Sequence, residues 1–185
     1  MLEDEKKLVE QAKQGDASSF GDLYDHYVQP IYRFILLKVS SGEEAQDLTH
    51  DVFMKAWRTL PNFQERGFPF SSWLYKIARN RVIDHYRTKK PNTSLEDFLQ
   101  VESEEFLEGA RFETEFDIKI AVTEVKKAMK SLTEEQQDVI LMKYVEELEI
   151  YEIAKILDKK EGAVRVIQHR ALEKLKKKFG KTNEK

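Results

Sequence analysis

The sequence predicts an all-α protein: two small helical domains joined by an acidic linker. Three observations carry that prediction. Apolar residues recur at three- and four-residue steps along most of the chain, and no segment alternates as a strand would. Seven glycines and four prolines in 185 residues are too few for the many turns of a β sandwich or barrel. Between 92 and 117 the chain turns acidic, with nine carboxylates against one basic residue, Arg111. The expected domains are therefore 1–91 and 118–185, with 92–117 as an extended or partly helical linker between them.

Each element has its own signal. Leu8, Val9 and Ala12 start a short amphipathic helix that stops at Gly15, and Asp16 caps the next. In that second helix Phe20, Leu23, Tyr24, Tyr27, Ile31 and Phe34 recur at helical steps. Pro30 falls inside the pattern and is expected to kink or divide it. Ser41 with Glu44 is a capping-box signature for a third helix, which carries Ala45, Leu48, Val52, Ala56, Trp57 and Leu60 on one face. Residues 61–71 read as a loop, after which Ser71 or Ser72 is expected to cap a helix running to about Lys90. Helical periodicity returns at Ile118, Val122, Val125 and Met129. Thr133 with Gln136 forms a second capping box before Val139, Ile140 and Tyr144. Two further helices are expected at about 149–157 and 161–179.

Composition excludes several chemistries. Without cysteine there is no disulfide, thiolate metal site or cysteine nucleophile. No apolar run approaches the roughly 20 residues of a membrane span. The opening Met1–Lys7 stretch has no apolar signal-peptide core, so a cytoplasmic protein is expected. The net charge of −3 argues, as an average, against nucleic acid. The average hides segregation, however. Residues 66–90 and 162–178 are basic, whereas 43–51, 92–117 and 134–152 are acidic, and in the sequence the last of these offsets the basic helix of its own domain.

Three constellations follow from that segregation. In 148–172, Ile153, Ile156 and Leu157 point one helix inward, a four-residue polar connection follows, and Val164, Ile167, Ala171 and Leu175 set a second helix on the same core. The other face of the second helix shows Arg165, Gln168, His169 and Arg170, then Lys174 and a lysine tail. Such a helix fits the major groove, where Arg and Gln read base edges and Lys neutralises phosphate. A helical hairpin with a solvated basic face has the same pattern. In 66–90, Arg66, Lys76, Arg79, Arg81, Arg87, Lys89 and Lys90 alternate with Phe68, Phe70, Trp73, Tyr75 and Tyr86. Cations with interleaved rings suit unpaired nucleic acid, and Asn80 is a candidate to read a flipped base. Trp73 shares the stripe of Ile77 and reads equally as core. In 43–60, Glu43, Glu44, Asp47 and Asp51 form an acidic helix face that suits a basic protein surface, or solvent alone.

In this order the three constellations resemble the extracytoplasmic-function (ECF) sigma factors of the bacterial sigma-70 family. The stretch Glu44–Trp57 looks like the family's core-polymerase-binding segment. The stretch Phe70–Asn80 looks like its promoter-melting and −10 segment, and Leu132 to Leu175 is similar to the region that holds the −35 element. The resemblance implies a specificity subunit without catalysis or cofactor, which recruits core RNA polymerase and binds promoter DNA, duplex at −35 and single-stranded at −10. It implies that Asp47, Asp51, Phe53 and Trp57 dock or support docking on polymerase. It implies a −10 set of Phe63, Arg66 and Phe70 in loop 62–70 with Trp73, Tyr75, Lys76, Arg79, Asn80 and Arg87. The corresponding −35 set is Arg165, Gln168, His169, Arg170 and Lys174. Many relatives are held inactive by an anti-sigma factor, so such a partner is expected too, and the acidic linker is expected near the polymerase's RNA-exit path. Ala163 stands where the family commonly has Thr, and Val166-Ile167 where it commonly has Ser-Arg, so the −35 contacts depart from the usual ones.

Two other readings compete. An ordinary helix-turn-helix regulator with an N-terminal sensing or dimerisation domain has no need for a basic aromatic cluster paired with an acidic docking helix. A phosphohydrolase is suggested only by the adjacent pair His50-Asp51, because His26, His85 and His169 have no metal-site spacing; no metal is expected.

Overall fold

The structure, a computed structural model, describes residues 4–39, 41–64, 69–88 and 127–180. Among them every regular element is helical. The linker expected at 92–117 lies outside the described residues, as do Arg66, Phe68, Lys89 and Lys90, and the helix expected from Ile118 is described only from 127.

The N-terminal half contains α1 (Glu5–Lys13), α2 (Ala17–Leu36), α3 (Gly42–Thr59), a short 3₁₀ turn (Leu60–Asn62) and α4 (Phe70–Thr88). Gly15, with φ of 95°, makes the sharp turn out of α1 that a side chain would strain. Asp16 then caps α2 as expected, its carboxylate accepting from the Ser18 amide. The Ser19 hydroxyl and the Ser18 amide hold that carboxylate below the usual range. Leu23, Ile31, Phe34, Val52, Leu60 and Leu74 are wholly buried where α2, α3 and α4 meet.

Two local expectations are corrected. Of the two outcomes expected at Pro30, division is overturned, because α2 is continuous through it. A mid-helix proline costs about 3 kcal/mol. Burying the flanking Tyr27, Ile31 and Phe34 returns about 1.5–3 kcal/mol for each such side chain, so burial decides. Neither Ser71 nor Ser72 is the cap of α4, because the helix already begins at Phe70. Ser72 instead points into the interior, fully buried.

The C-terminal half contains α5 (Glu134–Tyr144), α6 (Ile150–Ile156) and α7 (Glu161–Gly180). Thr133 and Gln136 form the reciprocal capping box at the start of α5. Val139, Leu141, Met142, Ile153, Val164 and Ala171 make the core. The α6–α7 connection turns at Asp158, whose φ is 53°, and the Lys159 amide closes back onto the Ala154 carbonyl at 2.8 Å. The two halves are packed together: α4 meets α6, and one apolar cluster runs through both.

Candidate nucleic-acid interface

The recognition-type helix is α7. Val164 and Ala171 are buried against α5 and α6, while Arg165, His169, Arg170 and Lys174 are exposed and Gln168 is half-buried. Arg165 pairs with Glu161 at 3.4 Å and His169 lies 3.8 Å from Glu173, both on the helix surface, where such pairs exchange readily for other ions. Gln168 donates to the Tyr144 hydroxyl at 2.8 Å, and Lys174 donates to Gln136 at 3.1 Å. Tyr144 and Gln136, both on α5, thus orient two side chains of α7; sequence reading missed them because the contacts cross helices. Of the departures, Ile167 is packed against the core, Ala163 is exposed, and Val166 is 48% exposed between the cations of the outer face.

On α4 the expected cluster separates. Lys76, Asn80 and Arg87 are exposed on one stripe. Phe63, Phe70 and Tyr75 are buried, and Trp73 is half-buried. Phe63 stacks 4.8 Å from Trp73, and Phe70 lies 5.5 Å from Trp73 and 5.7 Å from Tyr27. These rings fix the start of α4 and the end of loop 62–70 rather than standing free. Arg87 sits on the surface beside Asp84, 3.1 Å away.

Arg79 and Tyr75 face the other half of the molecule. Asp138 of α5 is wholly buried; it receives the Lys38 ammonium on one oxygen and the Arg79 Nε, at 2.7 Å, on the other. Glu146, which follows α5, accepts from Arg33 through Nε and Nη2, both at 3.2 Å, and from the Tyr75 hydroxyl at 2.8 Å. Burial pulls the Arg33 guanidinium down, but the Glu146 carboxylate more than offsets this, so its net shift is upward. Burial, and then Glu146, raise the Tyr75 phenol well above its ordinary value. Ser72 lies 3.4 Å from Glu152 of α6. The acidic block 134–152 therefore does more than offset the basic helix of its own domain: four of its carboxylates, on Glu134, Asp138, Glu146 and Glu152, meet the N-terminal half.

On α3, Asp47 is exposed and Asp51 pairs with Arg81 of α4. Phe53 and Trp57 point inward, their rings 4.7 Å from Tyr24 and 4.8 Å from Phe20. They anchor α3 to α2 and so hold the acidic face in place. Met54, 41% exposed, stands on that face, an apolar residue that sequence reading missed although it falls off the apolar stripe of α3. Among the described residues no cluster of His, Asp and Glu is arranged to hold a metal, and no helix is long and apolar enough to cross a membrane.

Comparison with known proteins gives these surfaces a family. Residues 23–91 match the model for Sigma-70 region 2, and residues 128–177 match that for Sigma-70, region 4. The chain is 32% identical over 179 residues to the ECF RNA polymerase sigma factor SigW of Bacillus subtilis, spanning 93% of this chain and 95% of SigW. It is 32% identical over 173 residues to the ECF RNA polymerase sigma factor BldN of Streptomyces coelicolor, spanning 91% of this chain but 63% of BldN, less than two thirds of that protein's length. The fold is that of CnrH, solved with the cytosolic domain of CnrY: TM-score 0.75 at 20% identity, over 96% of this chain and 98% of CnrH. With a region 2 match on the bundle that bears α3 and α4, a region 4 match on the helix-turn-helix, and SigW alike along nearly its whole length, the chain belongs to the ECF RNA polymerase sigma factors of the sigma-70 family.

Proposed function

We propose that this chain directs core RNA polymerase to specific promoters through three surfaces, one for polymerase and two for DNA. The observation that carries the reading is the division of α7: apolar residues lock it to its domain, while Arg165, His169, Arg170 and Lys174 project outward together. In duplex DNA Arg165, Arg170 and Lys174 meet phosphates and guanine edges with His169 beside them, and the exposed Val166 offers a methyl-sized apolar contact suited to thymine. Residues 118–185 make up this −35 unit. Residues 1–91 make up the other, in which Lys76, Asn80 and Arg87 take the unpaired −10 strand, Asn80 reading a base edge and the buried Phe63, Phe70 and Tyr75 supporting the surface. Asp47, with Met54 beside it, docks the polymerase, and Asp51, Phe53 and Trp57 hold that face. The chain contributes specificity, not a catalytic step, and an anti-sigma protein is its proposed inhibitor.

Asn80→Ala is expected to weaken open-complex formation, read by permanganate footprinting, more than it weakens core binding, read by copurification. Equal losses contradict base capture. Arg165→Ala is expected to lower promoter affinity and to reduce the slope of log affinity against log salt by about 1. An unchanged slope removes Arg165 from the phosphate contacts. On a promoter selected from random duplexes, replacing thymine by uracil at the −35 position facing Val166 is expected to weaken the wild type and leave Val166→Ala unaffected. Equal sensitivity in both proteins contradicts the methyl contact.

A further inference from the structure

We propose that Glu161 is a specificity-determining residue of α7: its carboxylate accepts from the amino group of a cytosine in the major groove, while Arg165 takes a guanine one or two base pairs away. Glu161 holds this role as part of the −35 surface proposed above, and rests on that reading. It is the first residue of α7, and the N-terminal residues of a recognition helix are the ones that contact base edges. Arg165 stands one turn further along the same face, its guanidinium 3.4 Å from the carboxylate. The two side chains are 63% and 53% exposed, Arg165 first, so water screens their attraction and either can exchange the other for a base. The first turn carries no bulk that would hold this pair off the groove. A Cβ on Gly162 would meet nothing within 4 Å, and its φ is not positive, so neither packing nor backbone geometry within the chain calls for glycine there. Ala163 beside it is exposed and adds a single methyl group.

The chemistry of the pair selects bases by opposite rules. In the major groove cytosine presents an amino donor, guanine the acceptors N7 and O6, and thymine the acceptor O4. A carboxylate only accepts, so it pairs with cytosine and is repelled by guanine and thymine. Adenine also has an amino group, but its acceptor N7 lies beside it and faces the carboxylate. The Arg165 guanidinium only donates, and it meets guanine on two atoms. Four residues at about 1.5 Å each set the two groups roughly 6 Å apart along α7, less than two base-pair steps of about 3.4 Å. Near phosphate a carboxylate lowers affinity for every sequence. What it supplies in return is rejection of the wrong base, which is how a repulsive group produces specificity.

The test uses core polymerase carrying the full chain. Initiating promoters are selected from duplexes randomised across the −35 region, and a selected promoter is then changed one base pair at a time, with promoter affinity measured on each. The wild type is expected to require a cytosine at one −35 position and to lose about tenfold in affinity when thymine replaces it. Glu161→Ala is expected to bring that loss below about twofold. Glu161→Gln is expected to move the preference to adenine, which a glutamine meets through N6 and N7. Arg165→Ala is expected to keep the cytosine preference and to lose a guanine preference one or two base pairs away. A cytosine penalty that survives in Glu161→Ala overturns the role of Glu161, as does a Glu161→Gln protein that ranks the four bases as the wild type does. So does a fall in affinity that Glu161→Ala shows equally on every sequence, the result expected of a carboxylate that serves only the helix dipole. A wild type that starts transcripts with no preference anywhere in the −35 region counts instead against the −35 reading of α7, a failure distinct from that of Glu161.

Discussion

The hydroxyl of Tyr75 donates to Glu146 from a position only 3% exposed, and Tyr27, 7% exposed, donates to Glu5. Burial first, and the neighbouring carboxylate second, raise both phenols. A raised acid of this kind is neutral in the folded chain and ionises in the unfolded one. Its contribution is whole below the unfolded value of about 10 and is lost as the pH climbs beyond it. Each such tyrosine is expected to subtract about 1.4 kcal/mol of stability per pH unit above pH ~10. Urea unfolding at pH 9, 10 and 11 checks this, with Tyr75→Phe expected to lose stability less steeply than the wild type; parallel slopes contradict it. At this scale the sequence was a partial guide. It nominated Tyr75 and Arg79 as side chains of one chemistry, basic or aromatic, because composition reports type. It did not reveal that both are directed at carboxylates some 60 to 70 residues away, since the separations, 71 for Tyr75–Glu146 and 59 for Arg79–Asp138, leave no local pattern.

Among the elements, those bounded by local hydrogen bonds were legible and those governed by distant packing were not. Asp16 and the Thr133–Gln136 box cap the helices they were expected to cap, because a cap is satisfied within three residues. The α7 start at Glu161 was also read correctly, after a four-residue polar connection. Pro30 misled because its penalty is fixed by its ring, whereas the compensating burial of Ile31 and Phe34 depends on α3 and α4. Pro30→Ala is accordingly expected to raise stability by about 1–3 kcal/mol by returning a missing helix hydrogen bond. A thermal melt that falls instead would mean that Pro30 has a role beyond α2. Asp158 offers a similar test in the turn of the helix-turn-helix. Its left-handed φ of 53° suits glycine, so Asp158→Gly is expected to be neutral or stabilising and Asp158→Val to cost about 1 kcal/mol or more.

For the whole molecule, the net charge of −3 gives no hint of the arrangement it sums. Charge blocks were visible along the chain, and the family resemblance gave each a place in transcription. Their pairing was not visible, because a run of carboxylates looks the same whether it faces water, its own domain or another. Among the described residues the acidic block of 134–152 meets α4 and the end of α2, so carboxylates and basic side chains far apart in the sequence pair across the two halves. What such a molecule does is decided in the presence of the polymerase. Purified core RNA polymerase, supplied with the chain and a library of genomic duplex fragments, is expected to start transcripts at a discrete set of sites that share two spaced sequence elements, and to lose those sites when Arg165 and Asn80 are both replaced by alanine. Transcripts that start no differently with and without the chain would contradict the account.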